Sequence, residues 1–177
     1  MYEDKLGNDE LPKVPFERRI SAFLIDFVVI WLLSSFFGAF QWLIFLLAWL
    51  GMRVVLVDKN QGQSLGRWAL DIRVIDFRYE RMPELMSLTK REGIVGFAAM
   101  LAMYGFQNSF AQGMLYLLIL NIPLLVDCLA ALVDADFNQA LHDRFTDTMI
   151  VPSQRGFSLD LRLKKIFAEL KKNMQKY

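Results

Sequence analysis

ISAFLIDFVVIWLLSSFFGAFQWLIFLLAWLGMRVVLV, residues 20–57, decides the fold. Only Asp26 and Arg53 are ionisable within it. One bilayer crossing takes about 20 apolar residues, and this run is roughly twice that. Its small and polar residues gather in the middle, at Ser34-Ser35-Phe36-Phe37-Gly38-Ala39-Phe40-Gln41. A tight turn near Gly38–Gln41 therefore divides the run into a hairpin, with helices predicted over 18–37 and 42–57.

The same pattern recurs downstream. Gly93 to Val133 is again apolar for two crossings, with Gln107-Asn108-Ser109-Phe110-Ala111-Gln112-Gly113 as its polar middle. Helices are predicted over 92–107 and 113–134. Pro123 falls inside the last of these and should kink it, which a membrane helix tolerates when neighbouring helices satisfy the freed carbonyl.

Charge is sorted along the chain. All 20 Lys and Arg fall in the N-terminal tail, in 58–92, in the C-terminal segment, or at Arg53. Both predicted turns lack them. Basic residues stay on the cytoplasmic side, so both termini and the segment 58–91 are expected there. The expected fold class is an all-α integral membrane protein: four transmembrane helices in two hairpins, a small cytoplasmic β-ribbon and a C-terminal basic amphipathic helix. It divides into a cytoplasmic tail 1–17, a membrane domain 18–151 and a cytoplasmic tail 152–177. The membrane is expected to be a bacterial inner membrane or an internal one.

Composition agrees with this sorting. Hydrophobic residues make up 55% of the chain while 22% are charged, two values that fit together only if the classes are segregated. The first 19 residues are polar and of mixed sign, and the apolar run behind them is too long for a cleavable signal, so the first helix is expected to remain as an anchor. Cys128 is the sole cysteine, and no intramolecular disulfide is possible. A formal net charge of +1 gives no bias toward nucleic acid.

The segment 58–91 has its own features. Ser64 suits a helix cap within Gly62-Gln63-Ser64-Leu65-Gly66-Arg67. Ile72-Arg73-Val74-Ile75-Asp76 alternates as a strand does, and Thr148-Met149-Ile150-Val151 matches it, so the two are expected to pair. From Phe157 to Tyr177, Leu163, Phe167, Leu170 and Met174 recur at helical spacing. Arg162, Lys164, Lys165, Lys171, Lys172 and Lys176 share that segment. Such a helix suits an anionic lipid surface, or is a solvated tail.

Three segments resemble the RDD family of membrane proteins. Arg19-Ile20-Ser21-Ala22-Phe23-Leu24-Ile25-Asp26 is similar to its opening. Gly62-Gln63-Ser64-Leu65-Gly66-Arg67, followed by Ile72-Arg73-Val74, resembles its loop motif. Leu141-His142-Asp143-Arg144, with Thr148 and Val151 beyond, resembles its closing segment. Together they reach from about Arg18 to Val151, with Ser64 where Thr is more usual. The resemblance implies that Arg19 and Asp26 are family positions and that a second signature Asp is Asp127 or Asp143. It also carries a proposal of transport.

Charges within a bilayer are functional candidates. At 1.5 Å per residue, Asp26 and Asp127 both lie roughly 10 Å from the cytoplasmic interface. Folding each hairpin about its turn sets Asp26 level with Met52 or Arg53, and Asp127 level with Gly93, close to Arg91. Two readings stand: ion pairs that fix helix register, or a cation or proton site between two carboxylates of equal depth. His142, the sole histidine, is expected to be a hydrogen-bonding loop residue. Without a second His or a Cys cluster, no metal site is expected. No nucleophile with a base, phosphate loop or dinucleotide fingerprint is present, so neither enzyme activity nor a cofactor is expected. Gly93, Gly96, Ala98, Ala99 and Ala102 give the third helix a small face, for packing within the bundle or for a partner helix. Two functions follow: a small transporter of a solute, cation or proton, which four spans suggest would work as a homo-oligomer, or a non-enzymatic accessory factor of a larger membrane complex.

Overall fold

The computed structural model describes residues 13–134, 139–153, 158, 159 and 161. The basic side chains expected on the C-terminal amphipathic helix, Arg162, Lys164, Lys165, Lys171 and Lys172, lie outside the described residues.

The chain is mostly helical. Helix α1 spans Phe16–Ser35. A single 3-10 turn, Gly38–Phe40, leads into α2 (Gln41–Leu50), a π-helical turn (Gly51–Val55) and α3 (Leu56–Lys59). The first turn thus falls where the small residues place it, and Gly38 takes a positive φ of 51° there. A short helix α4 (Leu65–Ala69) and strand β1 (Ile72–Asp76) follow. Then come the long α5 (Leu85–Gln112), α6 (Met114–Val133), the short α7 (Leu141–Phe145) and β2 (Thr148–Pro152).

Two helical stretches, Gly38–Lys59 and Met114–Val133, are long and apolar enough to cross a membrane. Helix α5 is longer at both ends than the predicted 92–107. Its first two turns mix Leu85, Met86 and Leu88 with Ser87, Thr89, Lys90 and Arg91, so hydropathy does not mark where it begins. At its other end, the expected turn over Gln107–Gly113 is reduced to Gly113 alone, at φ 90°. The polar residues there bond back to their own helix: Asn108 Nδ2 donates to the Tyr104 carbonyl at 2.9 Å, and Ser109 Oγ to that of Phe106 at 2.9 Å. They therefore continue the helix where the sequence suggests a break. Helix α6 runs without interruption through Pro123.

Strands β1 and β2 pair antiparallel, with Ile72 opposite Pro152 and Asp76 opposite Thr148. The ribbon joins the segment after the first hairpin to the segment after the second. It lies beside α4 and α7 at one end of the bundle.

Helices α1 and α5 both pack on α2, and α6 packs on α5. The centre of the bundle is apolar and partly aromatic, built from Ile30, Phe45, Trp49, Val95, Ala99 and Met103. The rings of Phe45 and Trp49 stack 5.7 Å apart. Apart from the exposed Gly93, the small face of α5 is spent inside the bundle. A β-carbon at Gly96 would come within 2.6 Å of the Trp49 indole, so glycine here lets α2 lie close to α5. Outward, Leu118, Ile122, Leu125 and Leu129 of α6 are exposed, as suits a helix bathed in hydrocarbon.

Candidate functional site

Charged side chains converge where the helices give way to α4, the ribbon and α7. Asp26, on α1, is fully buried. Its Oδ2 accepts from Arg53 Nη1 at 3.0 Å and from Ser64 Oγ at 2.6 Å, and its Oδ1 accepts from the Gly66 backbone N–H at 2.7 Å. One carboxylate therefore ties α1 to the π turn and to the start of α4.

The loop motif is built for that contact. Ser64 caps α4 by accepting from the Arg67 N–H. A β-carbon at Gly66 would collide with the Ala22 carbonyl oxygen, so only glycine lets α4 lie against α1 at this distance. Gly62 has φ 88°, and a β-carbon there would come within 2.6 Å of the Val74 carbonyl oxygen. Gln63 Nε2 donates to the Ile72 carbonyl at 3.0 Å. The motif thus joins α1 on one side to β1 on the other.

Arg53 comes from the π turn, a wide turn of the kind that often marks functional positions. It donates to Glu92 through Nε at 2.7 Å as well as to Asp26, and its guanidinium lies 4.9 Å from the centre of the Trp49 ring. Glu92 is the hub. It also accepts from Arg67 Nη2 at 2.7 Å and has Arg91 Nη1 at 3.5 Å. Burial, and then the neighbouring Arg53, pull the Arg67 guanidinium down to about 9 against the opposing pull of Glu92; it is still a cation at neutral pH.

The second branch runs through α7. Arg91 Nη2 pairs with Asp143 Oδ1 at 2.6 Å, and Arg19 from α1 also pairs with Asp143. Burial opposes the Asp143 charge, yet Arg91, then His142 and Arg19, hold its carboxyl well below the usual range. His142 is not on a loop. It sits in α7, where the backbone N–H of Ala140 donates to Asp143 at 3.2 Å and fixes the first turn. Its Nδ1 lies 2.7 Å from Asp127 Oδ2, and its Nε2 lies 3.2 Å from Asp143 and 3.3 Å from Arg91. Burial pushes His142 down, but Asp143 and its hydrogen bonds with Asp127 and Asp143 outweigh it and raise its pKa above the ordinary value. Thr148 is buried beside this branch, 3.1 Å from the hydroxyl of Thr146.

Arg91 and Asp127 thus meet only through His142, which stands between them. Among the described residues Asp26 and Asp127 share no hydrogen-bond partner; the network joins them through Arg53 or through Ser64 and Arg67 to Glu92, and on through Arg91 and His142. The contact that sequence reasoning missed is Glu92. Its signal was present: an acid directly beside Arg91, at the border of an apolar run.

Beside the network, between α1 and α6, lies a cavity of about 210 Å³ whose walls are mostly apolar. Arg19, Arg53, Arg91, Asp127 and His142 reach it. A second cavity, between α5 and α6, also has Asp127 and His142 in its wall. Among the described residues no cluster of His, Cys, Asp and Glu is suited to hold a metal ion.

The sequence model of the RDD family matches residues 13–147, from before α1 to the edge of β2. The chain belongs to the RDD family. That match covers every residue of the network. Both candidates for the second signature Asp of the RDD pattern, Asp127 and Asp143, bond the same histidine. An RDD protein with two helices of crossing length is a membrane protein. No curated protein matches the chain, and no solved structure does.

Proposed function

We propose that this RDD protein is a four-span carrier that moves a small solute across the membrane with coupling to protons. Both ends and residues 58–91 would lie in the cytoplasm. The observation that carries this reading is the cavity between α1 and α6, where an apolar chamber meets a buried charge network containing a histidine. His142 offers two states. As an imidazolium it donates to Asp127 and Asp143. As a neutral ring with its proton on Nδ1 it still donates to Asp127, and its Nε2 accepts from Arg91. Proton uptake thus switches Nε2 from Arg91 to Asp143, changing the floor of the chamber. In support of four spans, α1 has 20 residues and α5 has 28, about 30 and 42 Å at the helical rise.

Topology is tested with Cys128 replaced by serine and single cysteines at Phe40 or Met114, against others at Asn60 or Ser153. An impermeant thiol reagent should reach only the first pair from outside intact cells; labelling at Asn60 would overturn the four-span arrangement. Transport is tested in liposomes holding the purified chain and an entrapped pH-sensitive dye. Steps of sodium or potassium chloride should move the dye signal, and Asp127→Asn with His142→Ala should abolish it. An unmoved signal in the unaltered protein would overturn coupling of protons to sodium or potassium.

The second reading is an accessory factor bound to a larger membrane complex. It draws on α6, which packs mainly on α5 and α7 among the described elements and leaves a long apolar face bare. Purification in a mild detergent distinguishes the two: a stoichiometric foreign complex supports the accessory role, and a clean homo-oligomer supports transport.

A further inference from the structure

The cavity between α1 and α6 has a sided chemistry. Leu24 of α1 and Leu125 of α6 stand at its lips, each half exposed. A ligand can therefore enter sideways, from the hydrocarbon. Inside, Arg19, Arg53 and Arg91 are among the lining residues, while Asp26, Glu92 and Asp143, which pair with them, are not. Among the described residues Asp127 is the one carboxylate in the wall, and His142 holds both its oxygens through its backbone N–H and Nδ1. Three arginines thus border the cavity against one carboxylate, although the exposed wall is mainly apolar and the network as a whole is close to balanced.

Arg91 adds an independent observation. It is fully buried. Its Nη2 is spent on Asp143, but its Nε has no hydrogen-bond partner among the described residues, and its Nη1 only approaches Glu92 at 3.5 Å. A buried guanidinium with N–H groups unspent beside a cavity is costly unless an acceptor fills it. Guanidinium matches phosphate oxygens in a two-pronged fashion.

We propose that the α1–α6 cleft binds one anionic phospholipid, its phosphate on Arg91 and Arg19 and its chains leaving between Leu24 and Leu125 onto the bare face of α6. The cavity is too small for a whole lipid, and that exposed apolar face continues from it. Charge argues against the chain's own C-terminal segment as occupant, since residues 157–177 carry Arg162, Lys164, Lys165, Lys171, Lys172 and Lys176 against Asp160 and Glu169. The proposal names the class of ligand for the chamber invoked in the transport reading and rests on the same membrane placement. It does not rest on flux: a lipid held there is cargo or a fixed component, and occupancy in detergent and flux in liposomes fail separately.

Cys128 reports on the site directly. It is the sole cysteine of the chain, and it lines this cleft. The rate of its alkylation by N-ethylmaleimide is measured on the full chain in a neutral detergent. Phosphatidylglycerol added to the micelles should slow alkylation at least fivefold, while phosphatidylcholine and inorganic phosphate should leave the rate within twofold. Arg91→Gln should abolish the protection. Because Arg91 is buried and its variant can fail to fold, Leu125→Trp, at an exposed position on the lip, is the second variant. It should lose the phosphatidylglycerol adduct that native mass spectrometry is expected to detect on the unaltered chain. No slowing by phosphatidylglycerol overturns the proposal. Equal slowing by inorganic phosphate reduces the site to a simple anion site, and equal slowing by phosphatidylcholine removes the role of charge; either result also overturns it.

Discussion

Exchanging Asp26 for asparagine alters a fully buried carboxylate that three donors share. Asparagine can keep its carbonyl oxygen on the Gly66 N–H, and Ser64 can rotate to accept from the new amide. Arg53 Nη1 then faces a donor. One charged hydrogen bond is lost at a buried site, a cost of about 2–3 kcal/mol. The loss is not larger because Arg53 retains Glu92 at 2.7 Å. Arg53→Gln is more damaging. It withdraws the cation shared by Asp26 and Glu92, and removing one partner of a buried pair costs about 3–5 kcal/mol. In the double variant the two introduced amides can bond each other, and Glu92 still holds Arg67 and Arg91. The double should therefore be less damaging than the sum of the singles, by about 1–2 kcal/mol, the range expected for residues in contact. Equilibrium unfolding in mixed micelles with a rising fraction of dodecyl sulfate, followed by tryptophan fluorescence, measures all three. Losses that add to within about 0.5 kcal/mol would mean that the two side chains are not partners, and the placement of α1 against the π turn would have to be abandoned.

Other changes probe the remaining parts. Gly66→Ala should destabilise the chain by about 1–3 kcal/mol or more, because its methyl group meets the Ala22 carbonyl, whereas Gly93→Ala, which meets nothing within 4 Å, should be neutral or slightly stabilising; the same unfolding assay compares them. Gly113→Ala places a side chain at φ 90° and should cost about 1–2 kcal/mol, read as earlier unfolding with insertion unchanged. His142 has a raised pKa, so its contribution is fully present below its ordinary 6.5 and is lost as pH rises through the higher folded value. Stability should fall as pH climbs above about 6.5, and His142→Gln should flatten that slope; a slope unchanged in the variant would assign it to another group.

The positions of the helices were legible because hydropathy and basic residues sort so completely along this chain. The ribbon was legible from its alternation, and the cap at Ser64 from its residue type. What misled were polar residues that bond to their own helix. Asn108 and Ser109 read as a turn because composition cannot distinguish a side chain facing solvent from one returned to a carbonyl. The pairing of Asp26 with Arg53 follows from counting residues along a hairpin, a geometry that holds when the turn is correctly placed. The same counting set Asp127 beside Arg91 but could not include His142, which approaches from a different element with no periodic signal. Glu92 was overlooked as a boundary residue, although it holds three arginines together. Gly62 and Gly66 were visible only as a motif, since the carbonyl oxygens that require glycine belong to α1 and β1.

The pairing of β1 with β2 orders events in time. Ile72 is opposite Pro152, so the strand made early waits for one made eighty residues later. Arg91 and Arg19 likewise wait for Asp143. The ribbon and the Asp143 pairs can therefore form only after both apolar stretches have been made, and in that interval Arg19 and Arg91 lack Asp143. A released chain that ends before residue 143 would keep Arg53, Arg67 and Arg91 beside Glu92 but would leave Arg19 and Arg91 without Asp143, a difference in charge by which a membrane protease or chaperone can tell it apart from the finished product.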